Sequence, residues 1–238
     1  MNKPIVIAGP CQHESYEHSY KIANYCKSVC DLYGIEYYFK ASFDKANRTH
    51  NNSQRGLGLD DCISDFNQLR NDFKITTDFH ETHQVDELDV DVYQIPAFLS
   101  KQTDLLKKAK STNKIINIKK GQFISPKGIH GIISKVGEEN VWITERGSSF
   151  GYDKMIIDFE GIQYIKDSYN VPIFLDITHS VSERKYSKTM ARLAGALGLN
   201  LFVEVHDNPD EAPSDGKKMI NINEFQKLIK TYIKYLIK

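Results

Sequence analysis

Eight short apolar runs recur along the chain, and a charged or polar cluster follows the C-terminal edge of almost every one. The runs occupy residues 5–10, 37–42, 74–80, 92–98, 115–121, 141–147, 172–179 and 201–206. Segments with helical periodicity lie between them, and this alternation predicts a parallel sheet with right-handed crossovers. Eight such strands favour an α/β fold closed into a (β/α)8 TIM barrel over an open doubly wound sheet. We expect one domain across residues 1–238.

The helices between the runs follow from apolar spacing and capping residues. The predicted segments are residues 16–32, 60–72, 104–110, 128–135, 160–169, 185–197 and 223–238. Ser15 is placed to cap the first of them. The last carries a broad apolar face, which suits an outer barrel helix.

Composition excludes several classes of protein. Lys and Arg together number 31, as do Asp and Glu, so the chain shows no basic excess of the kind that binds nucleic acid or a membrane surface. No apolar stretch reaches the roughly 18 residues of a spanning helix, and a strand-like run begins too early for a signal peptide. The four cysteines form no CxxC pair, so we expect reduced thiols and a cytoplasmic protein that acts on small molecules.

A parallel barrel places its chemistry where its strands end. The side chains at the eight ends are Cys11, Lys40, His80, Gln94, Lys119, Arg146, His179 and Glu204. An isolated charge inside an apolar strand is costly unless it meets a partner or a ligand. Any one of them could point outward beneath a helix, but the four charged ends together favour a functional interpretation.

The positive charge is concentrated after three of the runs. Lys40, Lys45 and Arg48 follow the second run, Lys119 ends the fifth and Arg146 ends the sixth. Such a cluster predicts binding of phosphate or carboxylate. The long polar loop 43–58 and the loop 205–219 are predicted to be functional as well. We interpret Lys120 as part of a solvated loop, and Lys107, Lys108 and Lys110 as a helix surface.

A second group has the residue types of a metal site. Cys11, His179 and Glu204 end strands that become neighbours once a barrel closes, and Asp215 follows the last of them. One thiolate, one imidazole and two carboxylates can hold a divalent transition metal. The sequence has no HxH or CxxC signature, so spacing alone leaves open that Cys11 is a small buried hydrophobe.

Several segments together resemble one enzyme family. KASFDKANR (40–48), TTDFHE (76–81), QIPAFL (94–99), KQTDLL (101–106), NIKKGQF (117–123), TERGSSFGY (144–152) and DITHS (176–180) are similar to 3-deoxy-D-manno-octulosonate 8-phosphate synthases. The likeness runs in the same order from Ile5 to about Asp215. It implies a (β/α)8 barrel, typically a homotetramer, that condenses phosphoenolpyruvate with arabinose 5-phosphate and releases inorganic phosphate. The product is a sugar acid of lipopolysaccharide.

The resemblance also implies roles for individual residues. Those matching the phosphoenolpyruvate site are Lys40, Ser42, Lys45, Gln94, Lys119 and Arg146. Those matching the acceptor phosphate site are Asn47, Arg48, Thr49 and Lys101, the last standing where the family often has an Arg that reaches a neighbouring subunit. Asp78 and His80 match the acceptor and water site, and the implied catalytic group is Lys40, Lys45, Asp78, His80 and Asp215. Cys at position 11 matches the metal-dependent class, with Cys11, His179, Glu204 and Asp215 as ligands of Zn, Fe, Mn or Co.

The sequence departs from the family after the seventh run. Family members carry a longer glycine-rich excursion there, whereas SVSERKYS leads almost directly into the next helix. We therefore expect a raised acceptor KM or a changed acceptor. Three alternatives stay open at this point: a related synthase using another aldose, such as a heptulosonate or nonulosonate synthase; a non-catalytic barrel scaffold; and a Schiff-base aldolase using Lys119 or Lys40.

Overall fold

The eight predicted strands form one closed barrel. The computed structural model describes residues 3–48, 50–149 and 153–237. The strands are β1 Ile5–Gly9, β2 Glu36–Lys40, β3 Ile75–Asp78, β4 Val92–Ile95, β5 Ile115–Lys119, β6 Val141–Glu145, β7 Ile173–Asp176 and β8 Asn200–His206. Each pairs in parallel with the next, and β8 pairs back onto β1. The predicted (β/α)8 barrel is confirmed. A short strand that was not predicted, β9 Ile220–Asn221, pairs in parallel with the last two residues of β8.

The helices surround the barrel close to the predicted segments. They are α1 Tyr16–Leu32, α2 Leu59–Leu69, α3 Gln84–Glu87, α4 Thr103–Lys110, α5 Ile129–Val136, α6 Phe159–Ser168, α7 Ser187–Ala196 and α8 Ile222–Tyr235. The Ser15 hydroxyl caps α1 by accepting the His18 N–H at 3.2 Å. The prediction missed α3, which is too short to show a helical period. Within the described ranges, no helix is long and apolar enough to span a membrane.

The barrel interior changes character along its axis. Apolar side chains fill its lower part, namely Ile7, Tyr38, Val92, Trp142, Phe174 and Phe202. Alternation along each strand brings the residue two positions further on to the same inner face. On β2 that residue is Lys40, on β4 Gln94, on β7 Asp176 and on β8 Glu204, and all four are almost fully buried. The alternation of side chains along the strands therefore places a polar layer above the apolar side chains of the barrel interior.

Close approach at the end of β1 requires a glycine. A Cβ at Gly9 would stand 2.0 Å from the Lys40 carbonyl oxygen, so any side chain there would push β1 away from β2. The chain continues past Gly9 to an isolated bridge between Gln12 and Ser42. This contact places Cys11 beside the end of β2.

Candidate active site

Lys40 lies at the centre of the polar layer. Its ammonium donates to the Ser42 hydroxyl at 2.7 Å and to the Cys11 carbonyl oxygen at 3.1 Å. The nearest carboxylate oxygens of Glu204 and Asp78 lie at 3.5 and 3.7 Å. Burial lowers the pKa of Lys40, and the Asp78 carboxylate opposes that effect. The buried lysine thus has the partners that its position demands.

Ser42 joins two ammonium groups to one carboxylate. Its oxygen accepts from Lys40 and from Lys45, the latter at 2.9 Å, and its hydroxyl donates to Asp78 Oδ2 at 2.7 Å. Burial would raise the pKa of Asp78, but Lys40, Lys119 and Lys45 outweigh it and hold that pKa well below its usual range. Burial would likewise lower the pKa of Lys45, and the surrounding anionic groups raise it instead. Asp78 is therefore ionised and Lys45 protonated at neutral pH.

Lys119 and Arg146 face a small cavity at the mouth of the barrel. The Lys119 ammonium lies 3.8 Å from the centre of the Phe202 ring and 3.4 Å from Asp176 Oδ2. The cavity measures about 110 Å³ and is lined by Asp78, Pro96, Ala97, Phe98, Lys119, Arg146 and His179. A larger hollow of about 620 Å³ opens elsewhere, where Lys27, Glu36 and Lys74 are already engaged in ion pairs. At the smaller cavity Arg146 makes no ion pair among the described residues, so its guanidinium is available to an anion.

Gln94 adds a neutral group to the same layer. Its side chain is fully buried, and within the described residues neither its amide nitrogen nor its amide oxygen has a hydrogen-bond partner. Asp78, paired with Gln94 in the β3–β4 register, also has an unpartnered oxygen, Oδ1. Buried polar atoms of this kind are normally satisfied by water or by a ligand.

The four residues with metal-ligand chemistry converge where β7, β8 and β1 end. Cys11 Sγ lies 3.2 Å from Asp215 Oδ2. His179 Nε2 lies 3.6 Å from Glu204 Oε1 and 3.9 Å from Asp215 Oδ2. Asp215 has φ of +51°, a left-handed backbone conformation that few residues other than glycine adopt.

The donor set fits a transition-metal ion. Glu204 is fully buried, and its Oε2 has no hydrogen-bond partner in the part of the chain that the structure describes. Burial and the adjacent Glu204 carboxylate raise the pKa of Cys11 to about 12. The thiol is therefore protonated without a metal, and one Glu204 oxygen is left without a partner among the described residues. A divalent cation would bind that oxygen and ionise the thiol.

Asp176 completes the site, although the sequence did not single it out. Its Oδ2 lies 2.8 Å from His179 Nδ1, so the proton of the neutral imidazole is held on Nδ1 and the Nε2 lone pair faces Glu204 and Asp215. Its Oδ1 accepts the backbone N–H groups of Thr178 and His179. Burial would raise the pKa of Asp176, but His179 and Lys119 lower it. Its only indication in the sequence is its place in the segment DITHS (176–180), which resembles the family.

The predicted acceptor residues are only partly brought together. Arg48 Nε donates to the Gln54 carbonyl at 2.9 Å, and its Nη2 is buried without a partner among the described residues. Asn47 is exposed, and Thr49 lies outside the described residues. Lys101 is exposed beyond β4, and within the described chain its ammonium makes no hydrogen bond or ion pair with the site.

His80 stands beside the loop that carries these residues. Its ring packs edge-on against Phe43, with 6.2 Å between ring centroids, and its backbone N–H donates to Gln84 Oε1 at 2.8 Å. Burial lowers the pKa of His80, so its ring is neutral at physiological pH. Its Nδ1 is buried and unpartnered within the described ranges.

The interpretation of Lys120 as a solvated residue is wrong. Lys120 is 1% exposed, and its ammonium contacts Glu145 Oε2, Ser148 Oγ and the Ile124 carbonyl, each at 3.2 Å. Glu145 Oε1 in turn accepts the Gly147 N–H. The side chain points away from Lys119 because neighbouring residues of an extended strand face opposite sides. Lys120 thus ties the loops after β5 and β6 together.

Comparison with known sequences finds one matching family and relatives that share one enzyme name. The DAHP synthetase I family matches residues 1–236. A 2-dehydro-3-deoxyphosphooctonate aldolase of Agrobacterium fabrum is 42% identical, covering 97% of this chain and 88% of the relative. Enzymes of the same name from Bartonella henselae (41%, 97% and 89%) and Rhodopseudomonas palustris (42%, 97% and 87%) are similar. The Agrobacterium comparison extends over 250 positions against the 238 residues of this chain, so that relative holds residues with no counterpart here.

Proposed function

The chain belongs to the DAHP synthetase I family, and from that premise we propose that it condenses phosphoenolpyruvate with arabinose 5-phosphate. The products are 3-deoxy-D-manno-octulosonate 8-phosphate and inorganic phosphate, and the pathway is synthesis of a lipopolysaccharide sugar. The observation that carries this proposal is that Lys119 and Arg146 line the small cavity beside Asp78. Ser42 joins Lys40 and Lys45 to that same Asp78, in a chain whose relatives bear the name of that enzyme.

The cationic group holds phosphoenolpyruvate. Lys40, Lys45, Lys119 and Arg146 balance the charge of its phosphate and carboxylate, and Ser42 and Gln94 supply neutral hydrogen bonds. These groups are fixed by packing before substrate arrives, because Lys40 and Lys119 are buried and already hydrogen-bonded or ion-paired. Their field is therefore set in advance and stabilises charge as it develops during the reaction.

The reaction joins C3 of the enol to the aldehyde carbon while water adds at C2. The resulting hemiketal phosphate then collapses with cleavage of the C–O bond and loss of phosphate. Protonated Lys45 donates to oxygen atoms on which negative charge grows. Ionised Asp78, whose Oδ1 has no partner among the described residues, accepts a hydrogen bond from water or a hydroxyl group and so positions it. Neutral His80 belongs to the acceptor and water site in this proposal, and its buried Nδ1 has no partner among the described residues.

Cys11, His179, Glu204 and Asp215 hold a divalent Zn, Fe, Mn or Co ion in this proposal. When bound, such an ion supplies a Lewis acid that polarises an oxygen atom or lowers the pKa of water. Asp176 keeps the His179 ring in the tautomer that such a site requires. In this proposal the acceptor phosphate is received by the residues that match the family's acceptor motif, Asn47, Arg48 and Thr49, together with Lys101 of a neighbouring subunit.

The chain is further proposed to be a single domain that acts in the cytoplasm as a homotetramer. The tetramer is proposed from the resemblance to the family, in which Lys101 stands where an Arg often reaches a neighbouring subunit. Measurement of molar mass by light scattering tests this assembly, and a monomer that is fully active would contradict it.

One observation favours a second acceptor. The loop after β7 occupies only residues 177–183 before the turn of 3-10 helix at Arg184–Tyr186, where the resemblance to the family implies a longer glycine-rich excursion. A shorter loop covers less of the acceptor. The second candidate is therefore a related synthase that uses another aldose phosphate with the same phosphoenolpyruvate site.

The proposal is tested by phosphate release from phosphoenolpyruvate across a panel of aldoses, before and after chelation. We expect release with arabinose 5-phosphate, lost on chelation and restored by a divalent metal. Lys119→Met should abolish it, whereas Lys108→Met, on the surface of α4, should leave it unchanged. Activity that survives full metal removal would overturn the metal assignment, and activity only with another aldose would establish the second candidate. A borohydride-trapped adduct at Lys40 or Lys119 would establish Schiff-base chemistry instead.

A further inference from the structure

A second group of metal-binding side chains lies outside the barrel mouth. Glu14 and His18 flank the start of α1, His206 ends β8 and Asp207 follows it; we call these four residues the outer histidine cluster. Glu14, His18 and His206 each offer one ligand atom, and the three atoms lie within 4.8 Å of one another. The two imidazole rings stand 4.6 Å apart between centroids. None of these side chains takes part in the proposed reaction.

The hydrogen bonds fix the tautomer of His18. Its Nε2 lies 3.1 Å from Asp207 Oδ1, a carboxylate oxygen that can only accept, so Nε2 carries the ring proton. The Nδ1 lone pair then faces Glu14 Oε1 at 3.9 Å, and Nδ1 is buried with no hydrogen-bond partner among the described residues. Two acceptors are thus held face to face. Their separation is too long for a proton to bridge as a hydrogen bond, whereas a metal ion can bind both.

His206 presents its Nε2 to the same Glu14 oxygen, at 2.8 Å. In the metal-free state this nitrogen donates its proton, because Nδ1 accepts the Asn208 N–H at 2.9 Å. A metal ion at Nε2 would displace that proton to Nδ1, which lies 3.4 Å from Asp207 Oδ1. Asp207 would then accept a hydrogen bond from both imidazoles on the side opposite the metal. Carboxylates commonly accept the second ring N–H of metal-binding histidines in this way. This proton shift would break the hydrogen bond that the Asn208 N–H donates to His206 Nδ1.

Lys21 already balances the negative charge of Asp207. Lys21 Nζ lies 2.6 Å from Asp207 Oδ2, which leaves the other oxygen free for the two histidines. Glu14 is exposed, so water can complete the coordination. We propose that Glu14, His18 and His206 form a second divalent transition-metal site, separate from the Cys11 group, of the two-imidazole and one-carboxylate type that suits zinc and its neighbours. Its occupation ties the start of α1 to the end of β8.

Cobalt(II) titration of the full chain, stripped with chelator, tests this site. Total bound Co2+ is measured by equilibrium dialysis, and the thiolate-to-cobalt absorption band reports any metal on Cys11. We expect about one equivalent that binds without changing the thiolate band. This equivalent should be lost in His18→Phe, which keeps a ring at the same place. It should be retained in His130→Asn, whose ring packs against Tyr169 at the surface.

A Glu14→Gln variant controls for misfolding of the His18→Phe variant. It should bind the Co2+ outside the thiolate band more weakly, while its circular dichroism is unchanged. The site is overturned if the unmodified chain binds no Co2+ outside the thiolate band. It is equally overturned if His18→Phe retains the full amount. Because the readout excludes the Cys11 group, the result is independent of the metal assignment under the proposed function.

Discussion

Replacement of Asp176 by Asn is expected to weaken metal binding without weakening phosphoenolpyruvate binding. The asparagine amide oxygen can keep the two backbone bonds from Thr178 and His179, at 3.0 and 2.8 Å. Its NH2 group then faces His179 Nδ1, which is also a donor in the wild-type tautomer. The imidazole must move its proton to Nε2, the nitrogen that faces Glu204 and Asp215.

The size of the effect follows from the loss of one correctly oriented ligand. Changes to the partner that orients a metal-binding histidine cost about 10- to 100-fold in metal affinity, or about 1.4 to 2.8 kcal/mol. Lys119 loses a counter-charge that lies 3.4 Å away, so its ammonium offers the substrate phosphate more positive potential, not less. The dissociation constant for phosphoenolpyruvate should therefore stay constant or fall.

Both affinities can be measured on the same protein. Metal affinity is obtained by competition with a chromophoric chelator, and phosphoenolpyruvate affinity by calorimetry. Asp89→Asn serves as the control, since Asp89 is an exposed carboxylate that pairs with Arg70 and Lys114. The reasoning is refuted if Asp176→Asn binds metal as tightly as the unmodified chain, or if both affinities fall together as a general loss of structure would cause.

Three further outcomes are expected. Lys120→Met should lower the free energy of unfolding by about 3 to 5 kcal/mol, because it leaves a buried carboxylate unpaired. Urea denaturation should show Lys107→Met, at an exposed position of α4, within about 0.5 kcal/mol of wild type, and equal losses would contradict the burial argument. Burial raises the pKa values of Cys11, Cys30 and Cys62 to about 12. Unfolded thiols ionise near about pH 8.5, so above that pH the unfolded state holds fewer protons and the metal-free protein should lose up to about 1.4 kcal/mol per pH unit per thiol; Cys62→Ser should show a shallower decline, and an unchanged slope would exclude this cause. In steady-state kinetics, the unmodified chain should have a higher KM for arabinose 5-phosphate than a variant with a lengthened loop after β7. An equal KM would show that this loop does not set acceptor affinity.

The fold was predictable because its signals are local. Each strand is buried on both faces, so it appears in the sequence as a short continuous apolar run, and α1 begins at the residue after its serine cap. The four residues of α3 and the two of β9 complete no period, and tertiary contacts alone define them. Local pattern therefore gave the barrel and left out the elements that packing creates.

Apolar patterning alone pointed to a candidate site residue only where that residue broke a buried run, and the other candidates came from the resemblance to a family. Lys40 and Glu204 stood out as charges within buried strands. Asp176 did not, because an acidic residue at the end of a run is common, and its role depends on the histidine three positions later. Lys120 was misjudged because its partner, Glu145, lies on the next strand, and sequence spacing carries no information about that contact.

The central claim is that this chain joins the enol of phosphoenolpyruvate to an aldose phosphate and expels phosphate by C–O cleavage. Phosphoenolpyruvate labelled with oxygen-18 at the bridging position tests it directly. With arabinose 5-phosphate and a divalent metal present, the label should appear in inorganic phosphate, and no phosphate should form when the aldose is left out. Label retained in the sugar acid, or phosphate released without any acceptor, would contradict the account.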